Sequence, residues 1–209
     1  MEFRRLMGYA FVATLLSAAP LVAQTSSQQS SASGNSSSSM STNASGSLDM
    51  ADKHFVNKAA QGGLAEVQLG QLAQQNGSSS AVKDFGQKMV TDHTKANTQL
   101  QSVAQQKGIT PPSDLDTHDK NTKDKLSKLQ GAEFDKAYMQ DMVKDHEKDV
   151  AEFRKEAQNA KDPDVKAFAQ KTLPVLEEHL QLARTVAGQV GANTASTSRS
   201  GDTASNQQK

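Results

Sequence analysis

The sequence contains no cysteine and no tryptophan, and only 4% of its 209 residues are aromatic. The absence of cysteine excludes a disulfide framework, a thiolate metal site and a thioether-linked haem. Hydrophobic residues make up 35% of the chain, which is little for a compact protein of this length. We therefore expect a substantial part of the sequence to lie outside the folded domain.

Neither sign of charge is in excess, because 23 Lys and Arg residues balance 23 Asp and Glu residues. Proteins that bind nucleic acid usually carry a basic stripe that neutralises phosphates, and no such stripe is present. The composition therefore predicts no nucleic-acid partner. No nucleophile beside a base and no glycine-rich phosphate loop is apparent, so the sequence assigns no catalytic residue and favours a protein that is not an enzyme.

The N-terminus has the pattern of a secretory signal peptide. Arg4 and Arg5 precede an apolar run over residues 6–16, and small residues follow at 17–19. We place the signal peptide at residues 1–23. The apolar run is too short to cross a membrane, so we expect no transmembrane segment after cleavage. The predicted location is the periplasm or the exterior, with outer-membrane association as an open alternative.

Two segments have a low-complexity composition, residues 24–48 and residues 191–209. Both consist mainly of Ser, Gln, Asn, Gly, Ala and Thr. Such segments bury too little apolar surface to offset the entropy lost on ordering. The sequence therefore predicts a disordered linker at 24–48, a folded domain at 49–190 and a disordered tail at 191–209.

The predicted domain contains four amphipathic helical patterns, at about residues 50–75, 80–107, 132–159 and 163–190. Short turns join the first pair and the last pair. The connection over 109–131 is long and includes a short helical pattern at 117–129. This arrangement predicts an all-α, ferritin-like four-helix bundle with one long crossover, with up-down-up-down topology as the alternative. Gly62 and Gly63, inside the first helix, indicate either a close helix approach or a kink.

One phrase occurs twice, as Met-Val-Thr-Asp-His-Thr-Lys at 89–95 and as Met-Val-Lys-Asp-His-Glu-Lys at 142–148. In both copies the histidine falls on the apolar stripe of its helix, where a core side chain is expected. His179 and Glu66 occupy similar positions on the fourth and first helices. We therefore predict that Glu66, His93, His146 and His179 share one buried polar layer.

The predicted layer has two interpretations. Imidazole and carboxylate groups both donate lone pairs to zinc, iron or copper, so Glu66, His93, His146 and His179 are the candidate ligands of one divalent transition metal. Alternatively, the four side chains form a hydrogen-bonded layer that fixes helix register. The Glu-x-x-His pattern of di-iron bundles is absent, because Val90, Val143 and Leu176 stand three residues before the histidines.

Asp92 and Asp145 directly precede His93 and His146. A carboxylate beside a metal-binding histidine can orient the ring, so both are candidates for this supporting role. The alternative is an ordinary ion pair on the helix surface, Asp92 with Lys95 and Asp145 with Lys148.

Four phrases carry a resemblance to a known family, at residues 55–66, 89–93, 134–139 and 173–180. The most specific is Leu173-Pro174-Val175-Leu176-Glu177-Glu178-His179-Leu180. Over about residues 50–188 the chain resembles a bacterial domain-of-unknown-function family whose members carry signal peptides and are often labelled predicted outer-membrane proteins. The resemblance implies a ferritin-like bundle exported to the periplasm or envelope, and no established activity.

Two functions remain open from the sequence. The first is a structural or interaction module of the cell envelope, which acts through its surface. The alternative is a ferritin-like protein that binds a single zinc, iron or copper ion.

Overall fold

The structure, a computed structural model, describes residues 48–192. The predicted signal peptide, nearly all of the predicted linker and all but the first two residues of the predicted tail lie outside this range. Within it the chain forms five helices: α1 (Met50–Asn76), α2 (Ser80–Gln106), α3 (Thr117–Leu126), α4 (Gly131–Asn159) and α5 (Pro163–Gln189). Residues 48–192 contain no strand. The predicted all-α class is confirmed.

Local signals in the sequence account for where the helices begin and end. The Asp162 side chain accepts hydrogen bonds from the backbone N–H groups of Asp164 and Val165 and so caps α5, whose first residue is Pro163. Gly108 and Gly131 adopt positive φ angles of 67° and 61° after α2 and at the start of α4. Glycine tolerates this conformation without steric cost. None of the helices between residues 48 and 192 combines the length and apolar character that a membrane span requires.

Two buried aspartates define the topology of the bundle. Asp135, near the start of α4, accepts hydrogen bonds from the backbone N–H groups of Ser78 and Ser79 in the α1–α2 turn. Asp52, near the start of α1, accepts from the backbone N–H groups of Lys161 and Asp162 in the α4–α5 turn. Helix α4 therefore starts at the end of the bundle where α1 finishes. The connection that contains α3 must run the length of the bundle, which confirms the predicted long crossover.

The two hairpins are structural repeats of each other. Helix α2 spans 80–106 and α5 spans 163–189, so both bounds differ by 83. The same offset relates Asp52 to Asp135, as well as Phe85 to Phe168. Asp52 and Asp135 also have the same role, since each caps the turn of the other hairpin. The bundle is thus built from two equivalent halves joined by the crossover.

The hairpin α1–α2 has its closest backbone approach at Gly70 and Gly86. A Cβ atom on Gly70 would lie 2.6 Å from the Gly86 carbonyl oxygen, so only glycine fits there. A close approach or a kink was predicted at Gly62 and Gly63. Helix α1 is continuous through both, so neither glycine marks a break in the helix. Gly63 lies against the Asn97 side chain, whereas Gly62 has open space where a side chain would stand.

Aromatic clusters fill the two ends of the core. Phe55, Phe153 and Phe168 form one cluster, in which the Phe55 and Phe153 ring centroids are 4.9 Å apart. At the other end, the rings of Phe134 and Tyr138 stack with centroids 5.5 Å apart, and Phe85 packs edge-on against Tyr138. Between these clusters lies the polar layer.

We expect the reciprocal aspartate caps to be a main source of stability. Asp135→Ala removes the acceptor of three hydrogen bonds from Ser78 and Ser79 and leaves part-buried donors without this partner. The free energy of unfolding should fall by about 2–4 kcal/mol, with a similar loss for Asp52→Ala. Urea unfolding measures both. Asp124→Ala, at an exposed position, is the control, and an equal effect there would contradict the assignment.

Candidate metal centre

The four side chains predicted to share a layer are buried in the middle of the bundle, one on each long helix. Glu66, His146 and His179 are 0% exposed and His93 is 6% exposed. The ring centroids of the three histidines lie 5.9 Å (His93 to His146), 5.4 Å (His93 to His179) and 5.5 Å (His146 to His179) apart. Helices α2, α4 and α5 therefore bring three imidazoles into direct contact.

Each histidine has one ring nitrogen without a hydrogen-bond partner in the described part of the protein. These atoms are His93 Nε2, His146 Nε2 and His179 Nδ1. One nitrogen from each ring lies within 4.8 Å of the corresponding nitrogen of the other two. Buried polar atoms normally have partners, so three unpaired nitrogens on rings that lie this close together call for an explanation.

A backbone carbonyl defines the protonation of the His146 ring. His146 Nδ1 lies 2.9 Å from the Met142 carbonyl oxygen. A carbonyl oxygen can only accept, so Nδ1 carries the proton and donates it. In the neutral ring the Nε2 atom then has a lone pair. Burial, followed by the neighbouring His179, lowers the pKa of His146 to about 4, which keeps the ring neutral at physiological pH.

Asp92, which lies on α2, defines the protonation of the His179 ring on α5. His179 Nε2 lies 2.9 Å from Asp92 Oδ2, and Asp92 also pairs with Lys88 at 3.1 Å. Partial burial raises the pKa of Asp92, but the hydrogen bonds from His179 and Lys88 outweigh it, so its net pKa is lowered. The ionised carboxylate accepts a hydrogen bond from the Nε2–H group, which leaves the lone pair on His179 Nδ1. The predicted Asp92–Lys95 ion pair is wrong, because Asp92 pairs with Lys88 and His179.

Burial also lowers the pKa of His93 and of His179. Two further causes act on His93, the repulsion from His146 and from His179 if they are charged. For His179 the neighbouring Asp92 opposes the effect of burial. The three rings are thus neutral near pH 7, the form in which imidazole binds a metal.

Glu66 is buried beside this cluster but is not part of the group of three converging atoms. Its Oε1 lies 3.7 Å from His146 Nδ1, the nitrogen that donates to Met142. Neither oxygen of Glu66 has a hydrogen-bond partner among the described residues. Burial, followed by repulsion from Asp145, raises the pKa of Glu66. Its predicted role as a direct ligand stays a prediction.

Asp145 stands in the same motif position as Asp92 but has a different environment. It makes no hydrogen bond to His93, His146 or His179 in the described range. Instead it lines a cavity of about 140 Å³ between the helices, into which His93 also projects. The predicted Asp145–Lys148 ion pair is wrong, because Asp145 forms no ion pair within residues 48–192. The supporting role predicted for Asp145 stays a prediction.

The cavity is rich in carboxylates that the sequence analysis did not single out. Asp119 comes from α3, while Asp149 and Glu152 come from α4. Burial, followed by neighbouring negative charges, raises the pKa of Asp119 and of Asp149. The sequence does indicate an acidic face on α4, because Asp141, Asp145 and Asp149 recur at four-residue intervals along this helix. The contribution of α3 depends on how the crossover packs, which no local pattern reveals.

The fold and the cluster together define a ferritin-like four-helix bundle with three converging histidines in its interior. The chain belongs to the family described as a domain of unknown function, DUF4142, whose model matches residues 37–186. Among solved structures it is similar to the crystal structure of a DUF305 fragment from Deinococcus radiodurans, with a TM-score of 0.61 and 14% identity, covering 69% of this chain and 99% of that one. At this identity the likeness concerns the fold alone. A comparison with curated proteins gave no match.

Asp141 provides a test of the electrostatics around the layer. Burial, followed by repulsion from Asp145, raises the pKa of Asp141 from 3.8 to about 6. At Asp141 the folded state therefore binds more protons than the unfolded state between about pH 4 and 6, so the contribution of this residue to stability falls as pH rises through this range. Asp141→Asn removes this effect, so it should stabilise by about 1–2 kcal/mol at pH 7.5 and by little at pH 4.

Urea unfolding of wild type and Asp141→Asn at both pH values measures this difference. Asp124→Asn, which removes one charge at an exposed position, is the control. A gain in stability at pH 4 as large as that at pH 7.5 would contradict the raised pKa of Asp141.

Proposed function

We propose that the domain binds one divalent transition metal ion through His93 Nε2, His146 Nε2 and His179 Nδ1. One observation carries this proposal: the second nitrogens of His146 and His179 donate to Met142 and Asp92, so that their lone pairs point at the shared space. If the layer only fixed helix register, we would expect these nitrogen atoms to form hydrogen bonds with one another. Among residues 48–192, each of the three nitrogens is buried without a hydrogen-bond partner.

The donor set indicates which metals fit. Three neutral imidazoles suit zinc, copper, cobalt or iron, whereas magnesium and calcium prefer oxygen ligands. Nitrogen ligands of a tetrahedral zinc ion lie about 3.4 Å from one another, given bond lengths of about 2.1 Å. In the structure the three histidine nitrogens lie within 4.8 Å of one another, a wider spacing than zinc requires, so binding would draw the three rings together. The fourth position would be filled by water, because Glu66 lies beside His146 Nδ1 and not beside the Nε2 atom proposed as the ligand.

Metal binding was the second function considered in the sequence analysis, after an interaction module of the envelope. The converging lone pairs favour the metal site, and they bear on no partner protein. The exported location remains part of the proposal and is supported by the arginines and the apolar run of residues 1–19. We propose a periplasmic or secreted metal-binding bundle, without assigning a catalytic activity.

Adding metal should raise the thermal stability of the mature protein. At a free Zn²⁺ concentration about 100 times the Kd, binding contributes about 2.7 kcal/mol, and Tm should rise by about 5–10 °C. His146→Ala should abolish the rise because it removes one of three ligands. His54→Ala, on the exposed face of α1, should retain it.

Calorimetry with Zn²⁺ or with chelator measures these shifts, and elemental analysis of untagged protein identifies any metal bound in the cell. The proposal fails if chelator and Zn²⁺ leave the wild-type Tm unchanged and elemental analysis finds no metal.

The two copies of the Asp-His motif offer a matched pair of variants. Asp92→Asn removes the ionised acceptor that holds His179 in its tautomer, so we expect the Kd for Zn²⁺ to rise by about 10–100-fold. Asp145→Asn makes the same chemical change where no hydrogen bond to a site histidine is present, and its effect should be clearly smaller. Competition titration with a fluorescent zinc chelator measures both. Equal effects would show that Asp92 acts through its charge alone.

A further inference from the structure

The histidine cluster connects to the cavity described above, whose lining contains five partly buried carboxylates. The cavity lies between α3 and the four long helices, and His93 forms part of its lining. His93 is only 6% exposed, and its Nε2 has no hydrogen-bond partner among residues 48–192. Because it lines the cavity and also belongs to the histidine cluster, this side chain links the two. The cavity therefore leads from the α3 side of the bundle to the histidine cluster.

The ionisable side chains around this cavity are mainly acidic. Asp116 lies at the rim and is paired with Lys58 at 3.0 Å. The cavity is also lined by four further carboxylates and one further lysine. The carboxylates are Asp119, Asp145, Asp149 and Glu152, and the lysine is Lys148. None of these four carboxylates forms an ion pair within residues 48–192. A narrow space lined by one sign of charge and walled by protein raises the local concentration of the opposite ion.

The backbone of α1 leaves the cavity open on its other side. Gly62 and Gly63 both line it, and a Cβ atom on Gly62 would meet nothing within 4 Å. Glycine inside a helix costs about 1 kcal/mol relative to alanine. Since Gly62 neither adopts a positive φ angle nor allows a close helix contact, packing does not account for this glycine. The open space beside the cavity accounts for the presence of glycine at this position.

We propose that this acidic cavity is the access route by which a divalent cation reaches His93, His146 and His179, and that Gly62 keeps the route open. The inference rests on the proposed metal site and adds a path and an electrostatic funnel to it. The carboxylates attract the hydrated cation, and His93, which borders both the cavity and the cluster, is the first of the three cluster histidines that it meets.

Two changes separate the charge of the route from its width. Asp119→Asn combined with Glu152→Gln removes two charges from residues outside the histidine cluster. It should slow the association of Co²⁺ about 3–10-fold at low ionic strength, and the difference should vanish at about 0.5 M salt, where the Debye length is only a few Å. Gly62→Leu fills the space and should slow association and dissociation by the same factor, about tenfold or more, with the Kd unchanged.

Stopped-flow absorbance of Co²⁺ bound to the full mature chain measures these rates. Asp84→Asn combined with Asp124→Asn removes the same net charge at exposed positions outside the cavity, and Gly188→Leu makes the same glycine substitution on the exposed face of α5. Both controls should keep the wild-type rates. Circular dichroism establishes that each variant is folded, and the charge variant still tests the route if Gly62→Leu does not fold.

The outcomes distinguish the route from the site. If equilibrium titration shows no Co²⁺ binding to wild type, the proposed function itself fails. If wild type binds but the cavity charge variant associates as fast as the surface charge variant, the funnel is wrong. If folded Gly62→Leu binds and releases Co²⁺ at wild-type rates, or changes the Kd through dissociation alone, the cation does not pass this glycine.

Discussion

The requirement that buried polar groups find partners governs this bundle. Helices satisfy their own backbone groups, so a polar side chain in the core must find a free donor or acceptor elsewhere. Asp52 and Asp135 find free N–H groups at the opposite hairpin turns, and they thereby hold the two hairpins in register. Within residues 48–192, His146 and His179 are each satisfied on one nitrogen only. Fully paired acids thus act structurally, and half-paired imidazoles retain the capacity to bind.

The periodicity of the sequence predicts which residues are buried but not what they contact. His93, His146, His179 and Glu66 all lie in the interior, as their positions on apolar stripes indicate. The lengths of the connections likewise predict the crossover topology. Asp52 and Asp135 were not predicted as caps, because their partners lie more than fifty residues away. The Lys88–Asp92–His179 chain was missed for the same reason, since its last member lies on another helix.

The direction of each lone pair also lies beyond sequence reasoning. Both ring nitrogens of a histidine can bind a metal, and the choice depends on which one already donates a proton. At His146 the free atom is Nε2, whereas at His179 it is Nδ1. The choice follows from a carbonyl one turn earlier in one case and from a carboxylate on a neighbouring helix in the other. Only the packed structure shows that these choices converge.

The repeated Met-Val-x-Asp-His phrase does not follow the structural repeat, and this mismatch accounts for the asymmetry of the site. The two phrases are 53 residues apart, whereas the hairpins are related by an offset of 83. Under that offset Asp145 and His146 correspond to Gly62 and Gly63. One half of the bundle therefore supplies an acid and a ligand where the other half has no side chain at all. A symmetric pair of histidines would close the interior from both sides. Gly62 instead leaves open space beside the acidic cavity, while the Asn97 side chain of α2 fills the space next to Gly63.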